Sequence, residues 1–274
     1  MITQSVIAVT LIGVVITGLV PIIGGIVLMA MGKIKASSFW AGVLAYIIAM
    51  LAVGIAALII GFAVPALAGN AALLGIVSAI ITGVLFALAM GVCIKSCMKL
   101  RTFNAALSCG LGFGAGYAVT MAIGLAGTYV TFGSINSGAF DVQYARFVQM
   151  GAMTKEDVNM LKNTFMEYTV MTIAQEILTA VFFAAALAAA AVFLMRFVCS
   201  GKASLGILSA MATLTLYSIG SAIPNAVAAI IVTAAIGIAA LVFALRMKEQ
   251  VVPPEKKTVI DPFMNSVENA KNEE

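Results

Sequence analysis

Residues 170–197, VMTIAQEILTAVFFAAALAAAAVFLMRF, carry one acid, Glu176, and no basic residue before Arg196. A helix crossing a bilayer needs about 20 mostly apolar residues, because without water every backbone N–H and C=O must find its partner inside the segment. This stretch meets that length and has no polar face of the kind a soluble surface helix presents. It reads as a membrane span.

The rest of the chain agrees. Of 274 residues, 63% are hydrophobic and 9% charged, with a mean hydropathy of +1.14; soluble domains are about 25% charged. Spans are expected at 7–31, 39–64, 73–94, 105–129, 170–197, 205–217 and 226–245, giving an all-α polytopic transmembrane bundle in the cell membrane. The sixth is short. It runs into the seventh through SAIPNA, where Pro224 ends a helix, so these two segments read either as two spans or as a broken, re-entrant pair.

Lys and Arg set the orientation, since cytoplasmic loops retain positive charge. Lys33 and Lys35 follow span one, Lys95, Lys99 and Arg101 span three, Arg196 and Lys202 span five, and Arg246, Lys248, Lys256, Lys257 and Lys271 span seven. The remaining three, Arg146, Lys155 and Lys162, share the loop after span four with four acids. The N-terminus is therefore expected outside and the C-terminus in the cytoplasm. The net charge of +4 reflects this topology, and no basic stripe points to nucleic acid; the expected partner is the bilayer. The first segment lacks a charged n-region and is too long for a signal peptide core, so it reads as a retained span.

Residues 1–249 form the transmembrane domain, and 250–274, with Pro253 and Pro254, read as a disordered cytoplasmic tail. The outer segment from about Thr131 to Tyr168 places Phe140, Tyr144 and Phe147 one turn apart. Thr154 and Asp157 then cap a helix with Val158, Leu161, Phe165 and Tyr168 on one side. This amphipathic segment reads as an interfacial cover over the bundle, or as a lid that gates a substrate.

The chemistry is sparse. The chain has no histidine, which removes the commonest metal ligand and neutral-pH acid–base group. Glu176, about two turns into span five, is the one acid in a span, and its cost there directs it to the bundle interior or a wet cavity. Read structurally, it hydrogen-bonds Gln175 or a Ser or Thr on a neighbouring helix. A lone acid supplies neither a general acid–base pair nor a closed metal site. Cys93, Cys97, Cys109 and Cys199 map to the cytoplasmic side and read as packing residues rather than a disulfide or metal site. The 16 methionines lack the clustering of a soft-metal pathway. No metal and no cofactor are expected.

GLGFGAGYA, residues 110–118, lies inside span four. It lacks the strand-to-helix context and the Lys-Ser/Thr of a phosphate loop. Gly110 with Gly114 and Gly112 with Gly116 make small-xxx-small rows that let helices approach, within the bundle or between protomers. Phe113 and Tyr117 share one face a turn apart.

Taken with LFALAMG (85–91), INSGAFD (135–141), MTKEDVNMLKN (153–163), AQEILTAVFFAAAL (174–187) and the closing IPNAV, this element resembles the YhfC-type intramembrane peptidases, which are related to the CAAX-protease and bacteriocin-processing superfamily. The resemblance implies a peptidase fold, but the family's reactive residues are missing. Ala87, Leu88 and Gly91 stand where the family carries Glu, Glu and Arg; Phe113 and Tyr117 replace a His and a Glu. Glu176 is kept, but Ile177 replaces its Arg, Ala184 a later His, and Ser218 and Ala222 a final His and Asp. The resemblance thus implies an inactive relative in which the rings of Phe113 and Tyr117 fill the former site, with the Tyr117 hydroxyl as its polar handle.

Three readings follow. One is a pseudo-enzyme that binds a membrane peptide, a lipid or a partner protein, with Glu176, Gln175, Tyr117 and Phe113 as the candidate cavity and no catalytic residue. Another is a transporter using Glu176 and helices interrupted at Pro21 and Pro224. The third is a peptidase with an unrecognised arrangement.

Overall fold

In the computed structural model, residues 1–63, 71–96 and 102–247 are described. They form nine helices: α1 (Gln4–Ala30), α2 (Ala36–Ala63), α3 (Ala71–Ser96), α4 (Phe103–Ser137), α5 (Ala139–Gln149), α6 (Lys155–Met166), α7 (Val170–Cys199), α8 (Ala203–Ser221) and α9 (Ala226–Arg246). Seven of them, all but α5 and α6, are long and apolar enough to cross a membrane. The protein is a multi-pass, all-α membrane bundle.

Two helices form its centre. The most apolar window of α7 is 72% buried and that of α4 50%, against 28% or less for the others. α4 packs on α7, α2 and α1, while α7 also packs on α9, α8 and α3. Small residues permit this: Ala186 and Ala188 to Ala191 of α7 are fully enclosed. Van der Waals packing of close backbones replaces the hydrophobic drive that lipid does not supply.

Three expectations are corrected. α4 does not stop near Tyr129 but continues to Ser137. In its last turns the Thr128 and Thr131 hydroxyls are satisfied within the helix, donating to the carbonyls of Gly124 and Gly127 at 3.2 and 2.9 Å, so they need no partner outside it. α8 likewise passes Tyr217 to Ser221, with Ser218 donating to the Leu214 carbonyl at 2.9 Å. Segments six and seven are thus two complete helices joined by a short turn around Pro224. Pro21, in turn, lies inside a continuous α1 and does not interrupt it.

The external segment is two helices, divided from α4 at Gly138, whose φ of 77° suits glycine. α6 begins with the expected capping box between Thr154 and Asp157. Val158 and Phe140 are buried against the outer end of the bundle with Leu125, Phe132 and Ile173, and Leu161, Phe165 and Tyr168 pack beside them. Lys162 ties α6 to Asp141 of α5 at 2.7 Å. The chain start is clamped here as well: Asn136 accepts from the Ile2 N–H at 2.8 Å and donates to its carbonyl at 2.9 Å.

The ends of the bundle differ in charge. One face carries the chain start, α5, α6 and the acids Asp141, Glu156, Asp157 and Glu167; the other carries Lys33, Lys35, Lys95, Arg196, Lys202 and Arg246. Among the described residues the second, basic face has no acid. Residues 250–274, Cys97, Lys99 and Arg101 lie outside the described residues.

Candidate functional site

The glycines of residues 110–116 divide between two partners. A Cβ on Gly112 would collide with the Phe39 carbonyl oxygen, and one on Gly42 with the Cys109 carbonyl oxygen, so α2 and α4 touch backbone to backbone. Gly116 lies under the Tyr46 ring, where a Cβ would sit 2.6 Å from Cδ1. On the other side, a Cβ on Gly110 would be 2.6 Å from the Ala188 Cα, and one on Gly114 2.9 Å from the Ala184 Cβ, both on α7. The two rows therefore serve contacts within the bundle, one to α2 and one to α7.

Phe113 and Tyr117 take the remaining direction. Phe113 is fully buried, with ring centroids 5.3 Å from Tyr46 and 5.0 Å from Phe86. Tyr117 lies 4.6 Å from Phe183, which stacks on Tyr217 at 4.8 Å. Five helices, α2, α3, α4, α7 and α8, thus each give a ring to one cluster, mostly in the edge-to-face geometry that aromatic quadrupoles favour. Two of its hydroxyls are satisfied: Tyr46 donates to Thr120 Oγ1 at 2.8 Å, and Tyr217 donates to the Thr179 carbonyl.

Glu176 sits above this cluster, toward the acidic face, and is half-buried. Thr169 caps α7 by accepting from the Thr172 N–H at 3.1 Å. The connection from α6 is short, and Tyr168 packs beside Ile173 of α7, with its phenol close enough to Glu176 to feel the carboxylate's charge. Burial, and then the Glu176 charge, push the Tyr168 phenol above its ordinary value. From the sequence, Glu176 is expected to hydrogen-bond Gln175 or a Ser or Thr on a neighbouring helix. Gln175 instead turns to α8 and donates to the Ser221 carbonyl at 3.3 Å. Tyr117 is near enough to feel the charge of Glu176, so three of the four candidate residues, Phe113, Tyr117 and Glu176, share one region while Gln175 serves a helix end.

The other positions of interest from the family resemblance scatter. Ala87 is buried in the core, Leu88 is 41% exposed on the perimeter, and Gly91 faces Ile207 and Leu194 of α8 and α7. Cys93 and Cys109 neighbour each other on α3 and α4. Among the described residues no three His, Cys, Asp or Glu side chains gather as a metal site would require.

Open space lies elsewhere. A groove of about 280 Å³ runs between α1 and α2 over Ala115, Gly116 and Val119 of α4. A second, of about 240 Å³, lies on the opposite side of α1, against α4 and α7. Both are apolar. Phe39 separates them, its ring held against Gly25 of α1. Neither was legible as a site in the sequence, because Ile22, Ile26 and Val43 look like any other lipid-facing residues. No protein-family model, curated protein or solved structure matches the chain.

Proposed function

We propose that this chain is a non-hydrolytic binding protein of the cell membrane, a pseudo-enzyme on a bundle like that of the YhfC-type peptidases, and that it takes an apolar membrane ligand into the grooves flanking α1. The observation that carries this reading is the aromatic cluster. Amide hydrolysis needs a base to activate water and a group to stabilise the oxyanion around a wet cavity. Phe113 and Tyr117 close that space with rings from four other helices. The two grooves flanking α1 are apolar, which favours a ligand already dissolved in the bilayer.

Two measurements test this. Purified protein incubated with a panel of membrane-spanning peptides is expected to leave them intact, and mass spectrometry after mild detergent extraction is expected to recover a stoichiometric lipid. Peptide cleavage that disappears in Glu176→Gln would refute the non-hydrolytic half. A chain that retains no lipid under conditions preserving its fold would refute the binding half.

A further inference from the structure

The groove between α1 and α2 has a chemically distinct mouth. Its walls are Ile22, Ile26 and Met29 of α1 and Val43 and Ile47 of α2, whose side chains offer no hydrogen bond. At its basic-face end stands Trp40, the sole tryptophan of the chain, 60% exposed. Indole rings concentrate at the level of lipid headgroups.

Beside Trp40 the α1–α2 connection is built as a tight turn. Gly32 adopts φ 67°, the Lys33 N–H donates to the Leu28 carbonyl at 3.0 Å and the Ile34 N–H to the same oxygen at 3.4 Å. Ile34 is tucked inward, 7% exposed, against Phe39 and Ala115. With Ile34 anchored, Lys33 and Lys35 on either side of it are both left exposed. The Lys35 N–H is held by Ser108 Oγ at 3.1 Å, so the backbone carrying the charges is fixed. The amino end of α2 adds partial positive charge next to Lys35, and no acid lies on this face among the described residues.

We propose that the α1–α2 groove seats an anionic phospholipid, its acyl chain lying along Ala115, Gly116 and Val119 and its phosphate meeting Lys33 and Lys35. The assignment rests on the binding function proposed above and names its ligand. The lining selects the kind of occupant: Ile22, Ile26, Met29, Val43 and Ile47 give an acyl chain apolar contact along its length and ask for no hydrogen bond. Charge selects the headgroup, since two lysines with no acid on their face among the described residues favour a net negative lipid over a zwitterionic one.

Native mass spectrometry of the detergent-released full chain, supplied with chain-matched phosphatidylglycerol and phosphatidylcholine, tests it. Phosphatidylglycerol is expected to be retained in preference, by roughly fivefold for each lysine, the weight of one basic side chain near an anionic surface. Lys33→Ser with Lys35→Ser should erase the preference and leave phosphatidylcholine retention unchanged, and the Lys→Arg pair should restore it. Val119→Trp, or Ile26→Trp on the lipid-exposed wall, should lower retention of both lipids. Equal retention of the two headgroups by the native chain, or a preference that survives the serine pair, overturns the headgroup assignment while apolar binding stands. Retention of neither lipid overturns the binding reading as well. A dimer that Val119→Trp dissociates gives the groove to a second copy and overturns the proposal.

Discussion

Removing the Phe113 ring is the most direct probe of the filled centre. The side chain is fully buried and touches rings from α2 and α3, so Phe113→Ala should cost about 3–5 kcal/mol, the transfer term plus the cavity. A thermal shift followed by size-exclusion fluorescence checks it, and a loss below 1 kcal/mol would mean that the cluster repacks freely. At the acidic face, Tyr168 gives a pH signature. Its folded phenol lies above the ordinary 10.0 because of burial and then Glu176, so the neutral form is favoured in the folded state. The stability linked to it is complete below pH 10.0 and is lost as pH rises through the raised folded value. Tyr168→Phe should flatten that alkaline loss in melts taken across this window. Sequence reasoning found Glu176 but not its nearness to Tyr168, because Tyr168 reads as part of the apolar side of α6 and its approach to α7 depends on the length of one short connection.

Along a single helix, the spacing of small residues tells where neighbours come close but not which neighbours. Gly112 and Gly124 of α4 separate the two cases. A Cβ on Gly112 meets the Phe39 carbonyl, and one on Gly124 meets nothing within 4 Å. Gly112→Ala should therefore destabilise by about 1–3 kcal/mol through overpacking, while Gly124→Ala should be neutral or stabilise by about 0.5–1 kcal/mol through helix propensity. Equal shifts in the melting temperatures of the two variants would contradict the backbone contact. Both glycine rows were legible as i, i+4 patterns; that one faces α2 and the other α7 was not, since the two rows look alike until the helices are packed. The helix ends erred for a local reason. Read from sequence, the apolar spans end at Tyr129 and Tyr217 because polar residues follow, but those hydroxyls are satisfied by carbonyls three or four residues earlier, and α4 and α8 run on to Ser137 and Ser221. The capping box of α6, by contrast, was readable because Thr154 and Asp157 act within one turn. Thr154→Ala should cost that helix about 1 kcal/mol and raise amide exchange across 155–166 before it affects the spans.

Across the whole molecule, the uneven charging of the connections becomes two ends of unlike charge. The loops that composition marks as basic, 31–35 and 200–202, fall at one end of the folded bundle, and the helices bearing the acids, α5 and α6, fall at the other. Nothing in the packing of apolar helices required that separation; it follows from seven crossings whose connections were charged asymmetrically. Cytoplasmic retention of Lys and Arg then directs the basic face inward and puts α5, α6 and the clamp between Asn136 and Ile2 outside. The lysines of the α1–α2 turn thereby face the leaflet that carries the anionic lipids, as the proposed ligand requires. In a cysteine-free background, a membrane-impermeant maleimide applied to intact cells should label Asn159→Cys on α6 and spare Ser200→Cys after α7, both exposed positions. Permeabilising the cells should make Ser200→Cys reactive as well. The opposite pattern would invert the bundle, place Lys33 and Lys35 against the outer leaflet, and separate the lipid seat from the surface potential that is argued to fill it.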